Sequence, residues 1–499
     1  MKRLCLLAIF LLTLTTAHAE VSLKALLPDD RSRPNRAAVL LLGENDHAKA
    51  VQDELRDIAT IHQVQSSSEI TAGDFETLPK RDWHAIWLSG GDGIVELKTA
   101  LKAKLAPKSD FVVSGAQDDA KALAAKIRVE LLKGSTPWVE LPKGEKRDPA
   151  RLLVDEALLA NPDALPVVPA RTATVFRAEE GQWQFNLHSF IAHHAGKFWA
   201  IWSSGRVDED SSSQFIRFAT STDGQHWSDS GVVAGDPDGE NGPQRWLASG
   251  LYVDNGTLYA LGCLNEGDRD GKIWANAKLV RLKWTAEGWK DESIFADNCM
   301  VYYPPLKVQG RDFFVWRDDA AHFFTARSLP QKGQWEVKKH PNFPPDYRLS
   351  ETAAFADAEG MLHLIIRDQG KTKRLYHSLS FDHGDTWTLP VKTNYPDAVS
   401  KNFAGRLKDG AFFLINNPKT SGLRDPLTIS FSRDGWTFSN PKILRRDSPA
   451  RRYPGKAKVD HSFQYADAME RGGRLHVIYA VNKEDIEISS YDLAELLKP

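Results

Sequence analysis

Hydrophobic residues follow two different patterns in this chain of 499 residues. In the first third, short continuous apolar runs alternate with longer stretches that have a helical period. The runs are typical of buried parallel strands, and the stretches are typical of helices that cover them. The predicted strands are Ala37–Gly43, His84–Ser89 and Phe111–Gly115, and the predicted helices are His47–Ala59 and Asp118–Leu132. This alternation predicts a small α/β domain over residues 21–165.

From Arg171 onward the pattern is that of β-strands alone. Six glycine-centred turns recur, each followed by an apolar run of strand length. The turn glycines are Gly196, Gly256, Gly310, Gly360, Gly410 and Gly473. Successive turns lie 50 to 63 residues apart, which is typical of a repeat architecture and predicts a six-bladed β-propeller over residues 171–495. The last repeat lacks an outer strand, and Thr172–Phe176 is predicted to supply it and to close the ring.

A second repeated feature supports the propeller. The segment Ser380–Trp387 fits the pattern S-x-D-x-G-x-x-W, and looser copies begin at Ser221 and Ser432. The copies start 159 and 52 residues apart, and 159 is close to three times 52. The Asp and Gly of each copy predict a tight turn between the two outer strands of a blade, with the Trp packed beneath it.

The N-terminus has the composition of a secretory signal peptide over residues 1–19. Lys2 and Arg3 precede the apolar run Leu4–Leu14, and Ala17-His18-Ala19 fits a small-x-small cleavage site. The sequence thus predicts a secreted or periplasmic protein. The apolar run is too short to span a bilayer and no later segment has that length, so stable membrane insertion is not expected.

Composition narrows the classes of function. The formal net charge is −2 and no long basic run is present, so nucleic acid is not an expected partner. The histidines and acidic residues lack the close spacing of zinc sites, so neither a metal nor another cofactor is expected. Cys263 and Cys299 remain once the signal peptide is removed, and the sequence leaves open whether they form a disulfide or stay buried thiols.

The chemistry of a propeller is expected where its innermost strands begin, because those ends meet around the axis and form a funnel. Here these positions carry polar and aromatic side chains and one carboxylate. They are Asn186, His188, Arg245, Trp246, Tyr302, Tyr303, Glu351, Asn402, Gln464 and Tyr465. Aromatic faces stack on sugar rings and polar groups hold hydroxyls, so the expected partner is a glycan or oligosaccharide substrate.

Four segments resemble the bacterial sialidases (exo-α-neuraminidases). They are Ser350-Glu351-Thr352 at the start of the fourth blade, Arg367 sixteen residues later, Arg424-Asp425-Pro426-Leu427-Thr428 eight residues before Ser432, and Tyr465-Ala466-Asp467-Ala468. The resemblance covers residues 171–495 and leaves out the α/β domain. It implies a sialidase-like fold, an all-β six-bladed β-propeller that is preceded here by the small α/β domain.

The resemblance also implies roles for individual residues. Tyr465 would be the nucleophile and Glu351 would accept its phenolic proton, while Arg367 and Arg424 would bind the carboxylate of the sugar. Asp208 or Asp210, after the second strand of the first blade, would be the general acid and base. A Tyr nucleophile suits an anionic sugar, because the substrate would repel a carboxylate nucleophile.

The first blade departs from the family pattern. Sialidases open it with R-I-P-S-L, whereas this chain has Asn186-Leu187-His188-Ser189-Phe190. Asn186 thus replaces the first arginine of the carboxylate-binding triad and would bind an acidic group with one charge fewer. His188 replaces the proline. The loss of this arginine weakens the case for sialic acid itself.

Three functions stay open on the sequence. The favoured one is a secreted, sialidase-like glycoside hydrolase that releases a terminal acidic sugar from glycans. The second is a polysaccharide lyase acting on uronic-acid glycans, with His188 and a tyrosine such as Tyr302 as acid and base beside Arg245. The third is a non-catalytic glycan-binding propeller. Substrate binding is further expected of Arg245, Tyr302 and Asn402.

Overall fold

The computed structural model of the protein describes residues 22–25, 37–42, 47–55, 59–65, 85–88, 111–113, 119–131, 138–154, 160–211, 214–235, 238–239, 242–266, 277–297, 299–317, 323–329, 335–340, 347, 349–370, 372–455 and 459–498. The chain forms two compact units, Met1–Gly134 and Ser135–Pro499. The predicted signal peptide lies outside the described residues.

The described residues of the first unit form a five-stranded sheet and two helices. The strands are β1 (Ser22–Ala25), β2 (Ala37–Leu42), β3 (Ala59–Gln65), β4 (Ala85–Leu88) and β5 (Phe111–Val113), and the helices are α1 (Ala48–Glu54) and α2 (Ala120–Leu131). The strand order is β1-β3-β2-β4-β5, and every pairing is parallel except that of β1 with β3. Val39 and Leu41 of β2 pack with Trp87 of β4 and Ile127 of α2. The predicted α/β domain is confirmed.

The described residues of the second unit form six antiparallel sheets, which are the blades of a propeller. The first strand of this unit in chain order, β6 (Ala170–Phe176), belongs to the last blade. Blade 1 contains β7 (Phe185–His194), β8 (Lys197–Gly205), β9 (Phe215–Ser221) and β10 (Gly231–Ala234). Blade 2 contains β11 (Asp238–Gly239), β12 (Gly242–Asp254), β13 (Thr257–Glu266), β14 (Lys278–Thr285) and β15 (Gly288–Asp297).

Blade 3 contains β16 (Met300–Val301), β17 (Leu306–Val308), β18 (Arg311–Arg317), β19 (Phe323–Ser328) and β20 (Trp335–Lys339). Blade 4 contains β21 (Leu349–Ala356), β22 (Leu362–Asp368), β23 (Arg374–Ser380) and β24 (Val391–Pro396). Blade 5 contains β25 (Phe403–Arg406), β26 (Phe412–Asn416), β27 (Leu427–Ser432) and β28 (Ser439–Arg445). Blade 6 contains β29 (Phe463–Arg471), β30 (Arg474–Val481) and β31 (Asp485–Asp492), followed by β6.

The innermost strands contact one another around the axis. β7 contacts both β12 and β29, and β25 contacts both β21 and β29. Each blade turns from its innermost strand into the next one at the glycine that the sequence predicts, and these six glycines have φ between 72° and 92°. A left-handed turn of this kind favours glycine because it has no Cβ. The predicted six-bladed propeller is confirmed.

The S-x-D-x-G-x-x-W segment forms the turn between β23 and β24. Ser380 Oγ donates to Asp382 Oδ1 at 2.8 Å and accepts the backbone N–H of Gly384 at 2.7 Å. Trp387 is fully buried and packs edge-on against Phe323 of blade 3, with ring centroids 5.9 Å apart. The predicted turn thus also joins neighbouring blades.

The ring closes through β6. This strand pairs antiparallel with β31 and completes blade 6 as its outermost strand. Val175 of β6 packs with Ile478 and Ile488 of the same blade. The prediction that Thr172–Phe176 supplies the missing strand is confirmed.

The segment between the sheet of the first unit and β6 packs along the propeller. Three isolated bridges tie it to blades 4 and 5; they are Val139–Thr388, Leu153–Phe438 and Val167–Ile443. A 3₁₀ helix spans Pro162–Ala164, and a short helix, α3 (Leu493–Leu496), ends the unit. The sequence placed this segment in the α/β domain up to residue 165, whereas the structure divides the two units after Gly134.

Two expectations of the sequence concern cysteines and membranes. Cys263 and Cys299 are buried and are not joined in a disulfide, and Cys263 Sγ lies 3.5 Å from the carbonyl oxygen of Cys299. The sequence left open a disulfide or two buried thiols, and in the structure both residues are buried thiols. Within the described ranges, none of the helices has both the length and the hydropathy that a membrane crossing requires.

Candidate active site

Three polar side chains leave the innermost strands at irregular points. His188 of β7, Glu351 of β21 and Tyr465 of β29 lie where the pairing register shifts, and their φ angles are 55°, 49° and 59°. A β-bulge redirects a side chain, and a left-handed backbone costs roughly 1–2 kcal/mol at a residue other than glycine. Such conformations persist only where the surrounding fold imposes them, and they are frequent at functional sites.

Glu351, Arg367 and Tyr465 form one buried hydrogen-bonded group. The Tyr465 hydroxyl donates to Glu351 Oε1 at 2.5 Å, and Arg367 Nη1 donates to the Tyr465 hydroxyl oxygen at 2.9 Å. Arg367 Nη1 also forms an ion pair with Glu351 Oε2. Blades 4 and 6 are separated by blade 5 in the ring, so this group brings together side chains from blades that are not adjacent.

The electrostatic environment of this group shifts the pKa values of Glu351 and Tyr465 in opposite directions. Burial by itself would raise the pKa of Glu351, but the charge of Arg367 and the hydrogen bonds from Tyr465 and Arg367 lower it below its ordinary value. Burial and the charge of Glu351 raise the pKa of Tyr465 well above its ordinary value, against the charge of Arg367. The pair at neutral pH is a carboxylate beside a neutral phenol, so Glu351 can accept the phenolic proton.

Arg424 is a second buried guanidinium beside Tyr465. Its Nη1 donates to Gln464 Oε1, its Nη2 donates to the Val399 carbonyl at 2.9 Å, and its Cζ lies 5.8 Å from the centroid of the Tyr465 ring. No carboxylate of the described residues forms an ion pair with it. Burial and the positive charge of Arg367 lower the pKa of Arg424. A buried cation with only neutral partners is costly, and an anionic ligand would supply the missing charge.

His188 lies between Tyr465 and a second carboxylate, that of Glu209. The rings of His188 and Tyr465 meet edge to face, with centroids 5.1 Å apart and an interplanar angle of 83°. His188 Nε2 lies 3.8 Å from Glu209 Oε1. The other oxygen of Glu209 accepts a hydrogen bond from Lys483 Nζ at 2.5 Å. Blades 1 and 6 thus add an imidazole, a carboxylate and an ammonium to the site.

A lysine and an aspartate are buried close to the same group. Lys401 Nζ lies 4.5 Å from the centroid of the Phe190 ring and 4.3 Å from that of Tyr303, without a hydrogen-bond partner among the described residues. Burial lowers the pKa of Lys401 to about 8 and raises that of Asp467 to about 7. Burial, followed by the charge of Lys401, lowers the pKa of His188 well below its ordinary value. His188 is therefore neutral at pH 7.

The acidic stretch 208–210 contributes a different residue from the two that the sequence favours. Asp208 Oδ1 accepts the backbone N–H of Glu209 at 2.9 Å, and Asp210 is paired with a buried arginine. Glu209 is the member that lies beside His188. Its charge also helps to raise the pKa of Tyr465, after the larger effects of burial and the other nearby charges. Glu209 is therefore the candidate general acid, in place of Asp208 or Asp210.

Arg245 and Tyr302 belong to a neighbouring group on blades 2 and 3. Arg245 Nη1 forms an ion pair with Asp210, and its Nη2 donates to Asn265 Oδ1 at 2.5 Å. The Tyr302 hydroxyl accepts a hydrogen bond from Arg317 Nε at 3.0 Å. No hydrogen bond or ring contact within the described part of the chain joins Arg245 or Tyr302 to Tyr465.

Asn186 has a structural role. Its Nδ2 donates to the carbonyls of Trp183 and Glu484 at 2.8 and 2.6 Å, and its Oδ1 accepts from Trp202 Nε1 at 3.1 Å and from Ser204 Oγ at 2.7 Å. Both donors and both lone pairs of the amide are used. The expectation that Asn186 binds substrate is therefore not retained.

The other predicted amide, Asn402, is placed differently. Its buried side chain has no hydrogen-bond partner for either Nδ2 or Oδ1 among the described residues, while its carbonyl accepts the Tyr303 hydroxyl. Buried polar groups normally have a partner, in the protein or in water. Asn402 stays a candidate for substrate or water contact.

Three site residues were not predicted, namely Glu209, Lys401 and Lys483. Lys401 precedes Asn402 at the start of an innermost strand, and that position was a usable signal. Glu209 lies between the two predicted aspartates, and only the loop geometry selects it. Lys483 lies in a polar turn, where a lysine is normally exposed, so the sequence offers no signal.

Several solved structures resemble this chain in fold. The Hadza microbial sialidase Hz136 is 16% identical, with a TM-score of 0.53 over 65% of this chain and 68% of that one. A Dyadobacter fermentans DSM 18053 protein of unknown function is 13% identical, with a TM-score of 0.50 over 66% of this chain and all of its own. A protein named sialidase is 21% identical with a TM-score of 0.48; the match covers 65% of this chain but only 33% of that protein's length. The fold is that of the sialidase-like propellers.

The family follows from a sequence model. The model for BNR repeat-like domains matches residues 196–477, more than half of the chain. The protein therefore belongs to the BNR repeat-like domain family. None of the curated proteins matches the chain.

Proposed function

We propose that this protein is a glycoside hydrolase that releases a terminal acidic sugar from a glycan in a secreted or periplasmic location. The observation that supports this reaction is the hydrogen bond of 2.5 Å from the Tyr465 hydroxyl to Glu351, held in place by Arg367. It joins a nucleophile to the base that activates it, and a third residue orients both.

The chemistry proceeds in two displacements. In the first, Tyr465 Oη bonds to the anomeric carbon while Glu351 takes the phenolic proton, and the bond to the leaving oxygen breaks. A general acid protonates that oxygen. In the second, water bonds to the anomeric carbon, the bond to Tyr465 breaks, and the phenolate recovers its proton from Glu351. Two inversions give net retention at the anomeric carbon.

Glu209 is the carboxylate that best suits the acid and base role. It lies beside His188, whose ring contacts Tyr465, and so faces the same space as the nucleophile. A carboxylic acid there can protonate the leaving oxygen and then accept a proton from the attacking water. Asp210 is less suited, because its ion pair with Arg245 places it in the neighbouring group on blades 2 and 3.

The acidic character of the sugar is supported by Arg424. This guanidinium is buried and has only the neutral partners Gln464 and Val399. A sugar carboxylate would form charge-assisted, bidentate hydrogen bonds with it. The phenol nucleophile suits the same substrate, because its neutral ground state does not repel an anionic ring substituent.

The test is a panel of 4-methylumbelliferyl glycosides of N-acetylneuraminic acid, glucuronic acid and galactose. We expect hydrolysis of an acidic member and none of the galactoside. Tyr465→Phe and Glu351→Gln should each lower kcat by about 10²–10⁴-fold, and Tyr302→Phe is the matched tyrosine control that should stay near wild type. Loss of activity in Tyr302→Phe with retention in Tyr465→Phe would refute the assignment.

A second candidate function is supported by the placement of His188. Its neutral imidazole lies edge-on to the Tyr465 ring, 5.1 Å between centroids, in a site with two arginines. In a lyase acting on uronic acids, an arginine would neutralise the carboxylate and the imidazole would remove the α-proton. A tyrosine hydroxyl, as the acid of the pair, would donate a proton to the leaving sugar oxygen as the C–O bond breaks and a C=C bond forms.

The two reactions have different products. A lyase creates an unsaturated sugar that absorbs in the near ultraviolet, and a hydrolase adds the mass of water without that absorbance. His188→Ala should abolish lyase activity and leave the chemical step of hydrolysis to Tyr465 and Glu351. Binding of acidic oligosaccharides without either product would instead favour the glycan-binding propeller.

A further inference from the structure

Lys483 is a further buried cation of the site and lies on an unusually constrained turn. The turn joins β30 and β31, and both Asn482 and Lys483 have left-handed backbones, with φ of 56° and 57°. Asn482 fixes the turn, because its Oδ1 accepts the N–H of Ser462 at 2.9 Å and its Nδ2 donates to the Pro449 carbonyl at 2.7 Å. The direction in which the Lys483 side chain leaves the turn is therefore set by the fold.

The ammonium of Lys483 faces the same space as the two arginines. The residue is 6% exposed, and its Nζ donates to Glu209 Oε2 at 2.5 Å. Burial lowers the pKa of Lys483, Glu209 raises it, and the charges of Arg424 and Arg367 lower it. Glu209, which binds Lys483, lies beside His188, and the His188 ring contacts Tyr465. Arg367 and Arg424 contact the same tyrosine, so Lys483, Arg424 and Arg367 form one cationic cluster around this part of the site.

Lys483 is also adjacent to Asn186 of blade 1, the uncharged residue at the position where the sialidase pattern has an arginine. Its carbonyl accepts the backbone N–H of Asn186 at 2.8 Å across the seam between blades 1 and 6. The amide of Asn186 is fully used in structural hydrogen bonds. A ligand at this edge of the site therefore meets an ammonium from blade 6 and no free group from residue 186.

The cluster carries more positive charge than its two carboxylates balance. Glu351 pairs with Arg367, and Glu209 bonds to Lys483, which leaves Arg424 with neutral partners. One further negative charge between Arg424 and Lys483 would pair with the guanidinium to which no carboxylate of the described residues is bonded. A monosaccharide that carries a single carboxylate has this charge.

We propose that Lys483 is a specificity-determining residue, which binds the carboxylate of the sugar together with Arg424. In the ligand-free protein Glu209 holds the ammonium in place, and on binding the ammonium is shared between Glu209 and the sugar carboxylate. The inference rests on the proposed function. It extends that function by assigning acid recognition to blade 6, next to the uncharged position of blade 1.

Calorimetric titration with N-acetylneuraminic acid, glucuronic acid and the methyl ester of each tests this inference. For an acid that binds the wild type, Lys483→Gln should lose about 10- to 100-fold in affinity, with little change for the ester. Lys483→Arg should keep the preference for the acid. A purely structural role would lower affinity for acid and ester alike, and this result, or no loss for either, would overturn the inference.

A double variant and the binding of both acids by the wild-type protein distinguish the possible outcomes. Lys483→Gln leaves the Glu209 carboxylate without its cation, so the double variant Lys483→Gln/Glu209→Gln supplies a background without that buried charge, and its thermal unfolding shows whether it is folded. It should show the same loss for the acid alone. A wild-type protein that binds neither acid would overturn the proposed function together with this inference, whereas binding that is insensitive to residue 483 would overturn the inference only.

Discussion

The hydroxyl oxygen of Tyr465 lies 2.5 Å from Glu351 Oε1, although 114 residues separate the two in the chain. The contact joins blade 4 to blade 6 and exists because the ring of blades closes. Closure depends on β6, which the chain supplies before the first blade and which pairs with β31 in the last. The fold thus brings together a base and a phenol that no local structure could join.

The two arginines of the site should differ in what they contribute to stability. Arg367→Met leaves the buried Glu351 carboxylate without its cation, and we expect the free energy of unfolding to fall by about 3–5 kcal/mol. Arg424→Met removes a charge that has only neutral partners, and we expect a change within about 1 kcal/mol together with weaker binding of acidic sugars. Urea denaturation measures both variants. Equal losses would mean that Arg424 has a structural counter-ion.

Glu209 should contribute most to the rate of hydrolysis when the leaving group of the glycoside is poor. Glu209→Gln cannot donate a proton, so hydrolysis of alkyl glycosides should fall by about 10²–10⁴-fold, while aryl glycosides with acidic leaving groups should lose much less. Steady-state kinetics on the two substrate types measures this difference. Asp208→Asn is the control from the same loop and should behave as wild type on both. A Glu209→Gln enzyme with equal losses on both types would speak against an acid role.

Asp467 should make stability depend on pH. Its Oδ2 accepts the N–H of Ile191 at 2.9 Å, and burial raises its pKa from 3.8 to about 7. Between these values the folded protein holds a proton that the unfolded chain has released, so this group lowers stability as the pH rises. Asp467→Asn removes the effect. The unfolding free energy of the variant relative to wild type should therefore rise by up to about 1.4 kcal/mol per pH unit across the window.

Guanidinium chloride denaturation at several pH values within that window measures the difference. Lys401, a buried cation of the same part of the site, has a pKa of about 8 and stays charged throughout. The comparison therefore isolates the carboxyl group of Asp467. A difference that does not change with pH would mean that Asp467 is already ionised in the folded protein.

The fold was predictable because its signals are local and repeated. Glycines such as Gly196 and Gly473 mark turns that need φ above 70°, and their spacing counts the blades. The closing strand was predictable because the last repeat of the sequence lacks an outer strand, and its blade needs one from elsewhere in the chain. The division between the units was not, because the residues before β6 pair with the propeller through isolated bridges and not as a strand with its own hydrophobic pattern.

The site was predictable only in part. Glu351, Arg367, Arg424 and Tyr465 came from short motifs, and the structure brings all four together. The motifs do not reveal that Glu351 and Tyr465 lie on bulges with left-handed backbones, which sequence patterns rarely indicate for residues other than glycine. They also do not reveal that Glu209 and Lys483 meet, because that contact joins two turns from different blades.

The most direct test of the account is to trap the covalent intermediate. The protein is incubated with a 2,3-difluoro derivative of the acidic sugar that it hydrolyses, because fluorine slows the second displacement more than the first when the leaving group is good, and the digested protein is mapped by mass spectrometry. The account predicts one sugar on the peptide that contains Tyr465, and none in Tyr465→Phe. Turnover of the natural glycoside without any label on Tyr465, or a label on another residue, would contradict it.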